Sequence, residues 1–207
     1  MILLEALGIS AELLLALEET VSALSADGRQ EGPTWLLGGS CGLLLQDVPL
    51  KAAPHDIDLY TEIAEADKLH EALHPYAAGE LSEDYSRGCY SLMGHYVIDS
   101  YPLELICGFK VCCGQSVYRV ETGLLRAYAA AGKYPGTGGI LLMPLAHELI
   151  FNVLRGRSDR YEAIAAVMKR NLPAHLPLVE LLIGRNELEA AHAWTIRELL
   201  GISAQCS

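Results

Sequence analysis

Basic residues are scarce in this sequence, where 15 Lys and Arg stand against 26 Asp and Glu and leave a formal net charge of −11. Proteins that bind a phosphate backbone without sequence preference usually present a basic face. The charge balance therefore disfavours nonspecific DNA or RNA binding as the main role. It does not disfavour a metal site, because Mg²⁺ prefers carboxylate oxygens as ligands.

The sequence also lacks an uncharged apolar run long enough to cross a membrane, although its mean hydropathy is +0.24. Its most apolar stretch, residues 1–24, is interrupted by Glu5, Glu12, Glu18 and Glu19, whereas a spanning helix needs about 18 or more apolar residues. No basic segment precedes this stretch, as a secretory signal would require. We therefore expect a cytoplasmic protein without membrane contact.

Cysteine pairs with the spacing of a zinc site or a redox motif are absent as well. The chain contains no CxxC pair, and in a protein without an export signal we expect reduced thiols rather than disulfides. The six cysteines are Cys41, Cys89, Cys107, Cys112, Cys113 and Cys206. A structural metal held by these cysteines is therefore not expected.

Hydrophobic periodicity predicts mainly strands before Pro144 and helices after it. We expect an α+β protein, with a helix and a mixed sheet over residues 1–143 and a helical region over 144–207. The expected strands cover 34–37, 56–61, 89–98, 103–111 and 140–143, and residues 99–102 form the turn between the third and fourth. Helices are expected over residues 10–24, 41–45, 64–73 and 124–131. After these, one helix is expected to begin at Pro144, and others to cover 158–170, 175–184 and 186–200.

Asp56 and Asp58 stand two residues apart in one of the predicted strands. Because side chains alternate between the two faces of a strand, both carboxylates point to one face while Ile57 and Leu59 point to the core. Two like charges side by side are unfavourable unless something neutralises them. A divalent cation does so with oxygen ligands, so the spacing predicts a metal site. A solvated strand face is the alternative.

A Gly38-Gly39-Ser40 turn joins the first predicted strand to the following helix. Glycines allow a phosphate to approach the backbone closely, and the amides at the start of a helix can hold the anion together with a serine hydroxyl. The sequence therefore predicts nucleotide binding by Gly38, Gly39 and Ser40 next to the metal site. An ordinary strand-to-helix turn with Ser40 as a helix cap is the alternative.

The order of these two motifs resembles the nucleotidyltransferase superfamily, which has the polymerase-beta-like fold. Leu37-Gly38-Gly39-Ser40 and His55-Asp56-Ile57-Asp58-Leu59 match its signature of Gly-Gly or Gly-Ser followed by acid–apolar–acid. The Pro54-His55 lead-in is similar to the lincosamide and aminoglycoside nucleotidyltransferase branch, to which the toxins of abortive-infection systems are related. The resemblance is good over residues 34–111 and looser to about residue 170, and relatives often carry an acid at the place of Ala146.

The resemblance implies a third carboxylate on a later strand, and Glu104 is the matching residue. Asp99 competes for this role but lies in the predicted turn. The resemblance further implies that Asp56 and Asp58 bind two Mg²⁺ ions, and that Glu104 binds one of them and accepts the proton of the attacking hydroxyl.

The reaction implied by the resemblance is transfer of a nucleoside monophosphate from a Mg²⁺-bound nucleoside triphosphate to a hydroxyl, with release of pyrophosphate. We expect a small, antibiotic-like acceptor, since an acidic protein would attract a cationic aminoglycoside. One alternative is a toxin-like enzyme acting on tRNA or protein, which a basic groove beside the site would favour. The other is a binding protein on an inactive scaffold, which a misplaced Glu104 would favour.

Several further polar residues could take part in such a site. His55 is expected to be exposed, His95 to lie across from the strand of Glu104, and His147 to lie on a helix surface. A basic group either contacts the triphosphate or forms a solvated helix face; it consists of Arg155, Arg157, Arg160, Lys169 and Arg170.

Overall fold

A computed structural model describes residues 9–25, 33–86 and 88–202, which form an 8-stranded sheet with helices on both faces. The strands are β1 (Leu36–Gly38), β2 (Ile57–Thr61), β3 (Ser82–Asp84), β4 (Cys89–Ile98), β5 (Tyr101–Cys113), β6 (Ser116–Arg119), β7 (Ala130–Ala131) and β8 (Leu141–Leu142). The helices are α1 (Ala11–Ser25), α2 (Gly39–Leu44), α3 (Ala66–Leu73), α4 (Thr122–Arg126), α5 (Leu145–Leu154), α6 (Ser158–Met168), α7 (Leu172–Arg185) and α8 (Ala190–Leu200).

The sheet is mixed, and its strand order is β3-β4-β5-β2-β1-β8-β7, with β6 also paired to β5. β2 runs parallel to β5, and β1 runs parallel to β8. The other pairs are antiparallel. The α+β class with a mixed sheet and C-terminal helices, predicted from the sequence, is therefore confirmed.

Strands β2 and β5, in the middle of the sheet, present alternate side chains to two separate hydrophobic cores. On one face, Ile57 and Leu59 pack with the apolar sides of α1 and α3; we call this cluster the α1 core. On the other face, Tyr60 and Ile106 pack with residues of α5, α6, α7 and α8; we call this cluster the α5 core. Asp56 and Asp58 have the same strand parity as Tyr60, and therefore lie on the face of the α5 core.

The boundary predicted after residue 143 falls between β8 and α5. One core runs across it, because Leu36, Tyr60 and Phe109 of the sheet belong to the same buried cluster as the C-terminal helices. The division into 1–143 and 144–207 stays a prediction. Among the described helices, none combines the length and the apolarity that crossing a bilayer requires. The thiols of Cys41, Cys107, Cys112 and Cys113 are free, and Cys206 lies outside the described residues.

Several predicted elements differ in detail from the structure. The turn between β4 and β5 contains only Asp99 and Ser100, with φ of 49° and 68°, because a two-residue hairpin turn with positive φ at both positions suits the twist of the strands. The helix predicted over 124–131 ends at Arg126, and Ala130 and Ala131 pair with β8 instead.

Strand β3 was not predicted, because its sequence Ser-Glu-Asp is entirely polar and has no apolar alternation. Its strand conformation comes from antiparallel pairing with residues 91–93 of β4. Tertiary pairing here overrides local sequence preference. The consequence for function is that β3 brings two carboxylates, Glu83 and Asp84, to the edge of the candidate site.

Candidate active site

The predicted site residues of the sheet lie at one level across four neighbouring strands. Gly38 of β1 pairs with Asp58 of β2, Asp58 pairs with Glu104 of β5, and Glu104 pairs with His95 of β4. Asp56 directly precedes β2. The expectation that Ile57 and Leu59 point to the core is met, since both are fully buried. The parallel register of β2 and β5 thus brings together Asp58 and Glu104, which are far apart in sequence.

These residues line a cleft of about 600 Å³ between the sheet and the helices α5 and α6. Asp56, Asp58 and Glu104 form its strand wall. Glu83 and Asp84 of β3 extend this acidic wall to the outer edge. Residues of α5, of α6 and of the turn between them also line the cleft, and their polar members are Glu148, Asn152, Arg155, Arg157 and Arg160. Ser40 of α2 lines it as well.

Glycine is needed at positions 38 and 39 because the backbone there passes very close to the side chains of Asp58 and Tyr60. Gly39 has a φ of +58°, and a Cβ there would lie 1.7 Å from Oδ2 of Asp58. A Cβ on Gly38 would lie 2.6 Å from the Tyr60 ring. No side chain fits at either position without displacing the carboxylate or the ring. The glycines thus permit close contact with the protein's own site residues, besides any contact with a phosphate.

Glu148 of α5 is a site residue that the sequence analysis did not single out. Its side chain is 1% exposed, and its Oε1 accepts a hydrogen bond from the backbone N–H of Gly39 at 2.9 Å. Burial raises the pKa of Glu148 to about 7, opposed by the Gly39 hydrogen bond, Arg160 and Asn152. The available signal was that Glu148 is the one Asp, Glu, Lys or Arg between Leu145 and Leu154.

Ser40, like Gly39, is hydrogen-bonded to a C-terminal helix: Nη2 of Arg160 in α6 donates to Oγ of Ser40 at 2.8 Å. A hydroxyl that accepts from a guanidinium keeps its own proton available as a donor. Ser40 and Arg160 therefore present donors side by side at one end of the cleft. The Gly39 amide, by contrast, is already committed to Glu148.

The predicted basic group divides in two. Arg155, Arg157 and Arg160 line the cleft, whereas Lys169 and Arg170 lie on the turn after α6, outside its lining. Arg157 donates to both carboxylate oxygens of Asp159 at 3.2 Å. The Arg155 guanidinium lies 5.2 Å from the centroid of the Phe151 ring.

Negative charge accumulates around Asp58. Burial raises the pKa of Asp58 to about 8, with further raising by Asp56, Glu104 and Glu148 and lowering by Arg160. Burial also raises the pKa of Glu104, whereas His95 lowers it. His95 lies across from Glu104 on the neighbouring strand, as expected, with its Nδ1 3.8 Å from Oε1 of Glu104. Such a group of carboxylates is stabilised by any cation that enters the cleft.

The donor set suits Mg²⁺ that is held partly by a substrate. Within the described ranges, no three His, Cys, Asp or Glu side chains are placed to hold a metal ion by themselves. Mg²⁺ is commonly bound by one or two carboxylates together with substrate phosphates and water. Asp56 and Asp58 can supply these carboxylates, and the raised pKa of Asp58 marks unneutralised negative charge at the same place.

His147 was expected on a helix surface, and this prediction is wrong. α5 lies between the sheet and the other C-terminal helices, so all ten of its residues are buried. His147 stacks against the rings of Tyr118 and Phe151, and its Nδ1 lies 2.9 Å from the Tyr118 hydroxyl. Burial lowers its pKa to about 3, so the ring is neutral. His55 is exposed, as predicted.

No protein-family model matches this sequence, and no curated protein has significant sequence similarity to it. A Thermotoga maritima protein, TM1012, to which nucleotidyltransferase activity has been ascribed, superposes with a TM-score of 0.59 at 20% identity, over 77% of this chain and 94% of its own.

A second similar structure is ANT(2'')-Ia in complex with adenylyl-2''-tobramycin. It has a TM-score of 0.52 and 11% identity, over 83% of this chain and 97% of its own. The solution structure of the same antibiotic-resistance factor gives a TM-score of 0.50 at 12% identity. At such identities the likeness establishes the fold. The chain has a nucleotidyltransferase fold, as the resemblance in the Gly-Gly-Ser and Asp-x-Asp motifs implied.

Proposed function

We propose that this chain, which has a nucleotidyltransferase fold, transfers a nucleoside monophosphate from a nucleoside triphosphate to the hydroxyl of a small acceptor. One observation carries the proposal: a single cleft is lined both by the carboxylates of Asp56, Asp58 and Glu104 and by the Ser40–Arg160 donors. Carboxylates that hold metal and donors that hold phosphate are the two requirements of this chemistry.

Separate residues would bind the metal, bind the triphosphate and accept the proton. Asp56 and Asp58 would hold Mg²⁺, which when bound neutralises phosphate charge and polarises the phosphorus centre. Ser40 and Arg160 would orient the triphosphate through their paired donors. Glu104 would accept the proton of the acceptor hydroxyl, a role for which its raised pKa and its place beside Asp58 suit it.

The charge of the cleft favours a small cationic acceptor. Its lining contains three arginines and six carboxylates, the latter being Asp56, Asp58, Glu83, Asp84, Glu104 and Glu148. An acidic lining attracts a cation and repels a nucleic-acid backbone. The neighbour ANT(2'')-Ia holds an adenylylated tobramycin, which agrees with an acceptor of this class. A tRNA-modifying enzyme would be favoured by a basic groove beside the aspartate pair, whereas carboxylates outnumber arginines in this lining.

The first test is thermal unfolding with Mg²⁺ and each of ATP, GTP, CTP and UTP. A ligand at a hundred times its dissociation constant stabilises the folded state by about 2.7 kcal/mol. For a chain of this size we expect a rise of roughly 5–10 °C with at least one nucleotide. The rise should need Mg²⁺ and should vanish in the double variant Asp56→Ala/Asp58→Ala.

A charge-matched control is Asp67→Ala/Glu71→Ala, which removes two exposed carboxylates from α3. This control should respond to nucleotide as the wild type does. A folded wild type that responds to none of the four nucleotides contradicts the proposal and favours an inactive scaffold. Once a donor is known, release of pyrophosphate with a panel of aminoglycosides tests the acceptor.

A further inference from the structure

Glu148 is a buried carboxylate that lines the cleft and forms no salt bridge with a described residue. It is 1% exposed and lies in α5 between the sheet and the C-terminal helices. Burying a carboxylate is unfavourable unless hydrogen bonds compensate for the lost water. An apolar side chain here would pack with less penalty. A charged group kept at such a position is more readily explained by the site that it contacts than by stability.

The contact that Glu148 makes is with a backbone group of the candidate nucleotide loop. Helix α2 begins at Gly39, and its N-cap residue Gly38 has no side chain to accept from the first amides. Glu148 supplies the missing acceptor from 109 residues away in sequence, through Oε1 and the Gly39 N–H. The side chain that caps α2 thus comes from α5 rather than from its own loop.

The capped turn adjoins the other residues of the site. Gly39 has a φ of +58° and lies so close to Asp58 that no Cβ would fit between them. The next residue, Ser40, is bonded to Arg160. The α5–α6 pair therefore holds two consecutive residues of the loop, Gly39 through Glu148 and Ser40 through Arg160.

We propose that Glu148 is a positioning residue for nucleotide binding: it holds the Gly39 turn so that Ser40 and Asp58 keep their relative places. It acts through the loop and does not itself contact phosphate. Asn152 orients the carboxylate in turn, since its Nδ2 lies 3.4 Å from Oε2 of Glu148. The effect on affinity rests on the proposed function, but the hold on Gly39 does not.

Two substitutions separate the hydrogen bond from the packing. Glu148→Gln keeps an acceptor for the Gly39 amide, whereas Glu148→Met keeps a similar volume without a good one. Exchange of the Gly39 amide, followed by NMR without nucleotide, should be slow in the wild type and in Glu148→Gln. In Glu148→Met it should be at least about tenfold faster, because the amide loses a charge-assisted hydrogen bond.

The second measurement is the dissociation constant for the Mg²⁺ nucleotide that stabilises the wild type. Glu148→Gln should stay within about threefold of the wild type, and Glu148→Met should bind about tenfold or more weakly. Because Met removes a buried charge, that variant should unfold at the same temperature as the wild type or higher. Weaker binding in a protein that is no less stable is a result that a merely structural role does not give.

Leu149→Ala is the matched control, since Leu149 is a fully buried neighbour in α5 that does not line the cleft. It should lower the unfolding temperature and leave nucleotide affinity unchanged. Unchanged Gly39 exchange in Glu148→Met overturns the inference, as does an equal loss of affinity in Leu149→Ala and Glu148→Met. If no nucleotide binds the wild type, the proposed function fails, and Gly39 exchange still decides whether Glu148 holds the turn.

Discussion

Helices α1 and α5 cover opposite faces of the same sheet, yet they bury very different residues. The buried residues of α1 are apolar except for Thr20, whose hydroxyl bonds back to the carbonyl of Ala16 in the same helix. α5 is buried all round and includes His147, Glu148 and Asn152. α1 therefore contributes mainly apolar packing, whereas α5 combines packing with polar groups next to the cleft.

This difference indicates where the molecule departs from the best packing. Buried polar groups are rare in a core that only stabilises, and they collect at functional sites. His147 keeps a buried Nε2 without a partner among the described residues, and Asp58 has like charges around it. We expect substitutions in the α1 core to lower stability, and substitutions around the cleft to affect function with little loss of stability, or even a gain.

The largest effect on stability is expected for Leu59→Ala. Leu59 is fully buried in the α1 core, and removing a buried leucine side chain typically costs about 2–5 kcal/mol. The unfolding temperature should fall by roughly 5–15 °C, while the affinity of the folded protein for Mg²⁺ nucleotide stays the same. Calorimetry and a binding titration below the transition check this. Leu15→Ala, at an exposed position of α1, should change little.

Because His147 is buried, we expect the free energy of unfolding to depend on pH, which the apolar residues of the α1 core do not cause. Its pKa falls from 6.5 to about 3 on folding, so the unfolded state binds the proton first as the pH decreases. The stability that the neutral ring contributes is therefore present above pH 6.5 and is lost as the pH falls toward 3, by at most about 1.4 kcal/mol per pH unit. His147→Phe should lose less stability than the wild type between pH 7 and pH 5 in denaturant titrations. Equal losses in both proteins contradict this prediction.

Asp58→Asn should raise the free energy of unfolding, whereas Leu59→Ala lowers it, although the two residues are adjacent. The pKa of Asp58 is raised on folding to about 8, so its favourable contribution exists below its ordinary pKa of 3.8 and is lost as the pH rises through 8. Asparagine removes the repulsion and should stabilise the free protein at pH 8 by at least about 1 kcal/mol. The gain should be smaller at pH 5, and Mg²⁺ nucleotide binding should be lost.

The control for this comparison is Asp67→Asn, which changes an exposed carboxylate of α3 and should stay within about 0.5 kcal/mol of the wild type. Denaturant titrations at pH 5 and pH 8 compare the two variants. A less stable Asp58→Asn protein at pH 8 would show that Asp58 has partners that compensate for its charge.

The smallest effect is expected for Thr20→Val, at the buried polar residue of α1. Its hydrogen bond stays within one turn of the helix, and such a bond contributes little to net stability. We expect a change below about 1 kcal/mol in either direction. A larger loss, measured by thermal unfolding, would mean that the hydroxyl has a role in the α1 core beyond its own helix.

Some features of the fold followed from short stretches of sequence. The period of two placed Asp56 and Asp58 on one face and Ile57 and Leu59 on the other, and the helical spacing of apolar residues gave α1 nearly to its ends. β3 escaped prediction because its strand conformation depends on a partner strand. His147 was misplaced because helical periodicity cannot tell a helix covered on one side from a helix covered on all sides.

The sequence by itself determined the Gly-Gly-Ser turn, the aspartate pair and the strand that carries Glu104, because backbone geometry fixes side-chain direction over a few residues. Only the tertiary structure decided which helix residues complete the site. Glu148 and Arg160 reach Gly39 and Ser40 across 109 and 120 residues of chain. Contacts at that separation depend on how the C-terminal helices pack on the sheet, and no local pattern encodes the packing of two distant faces.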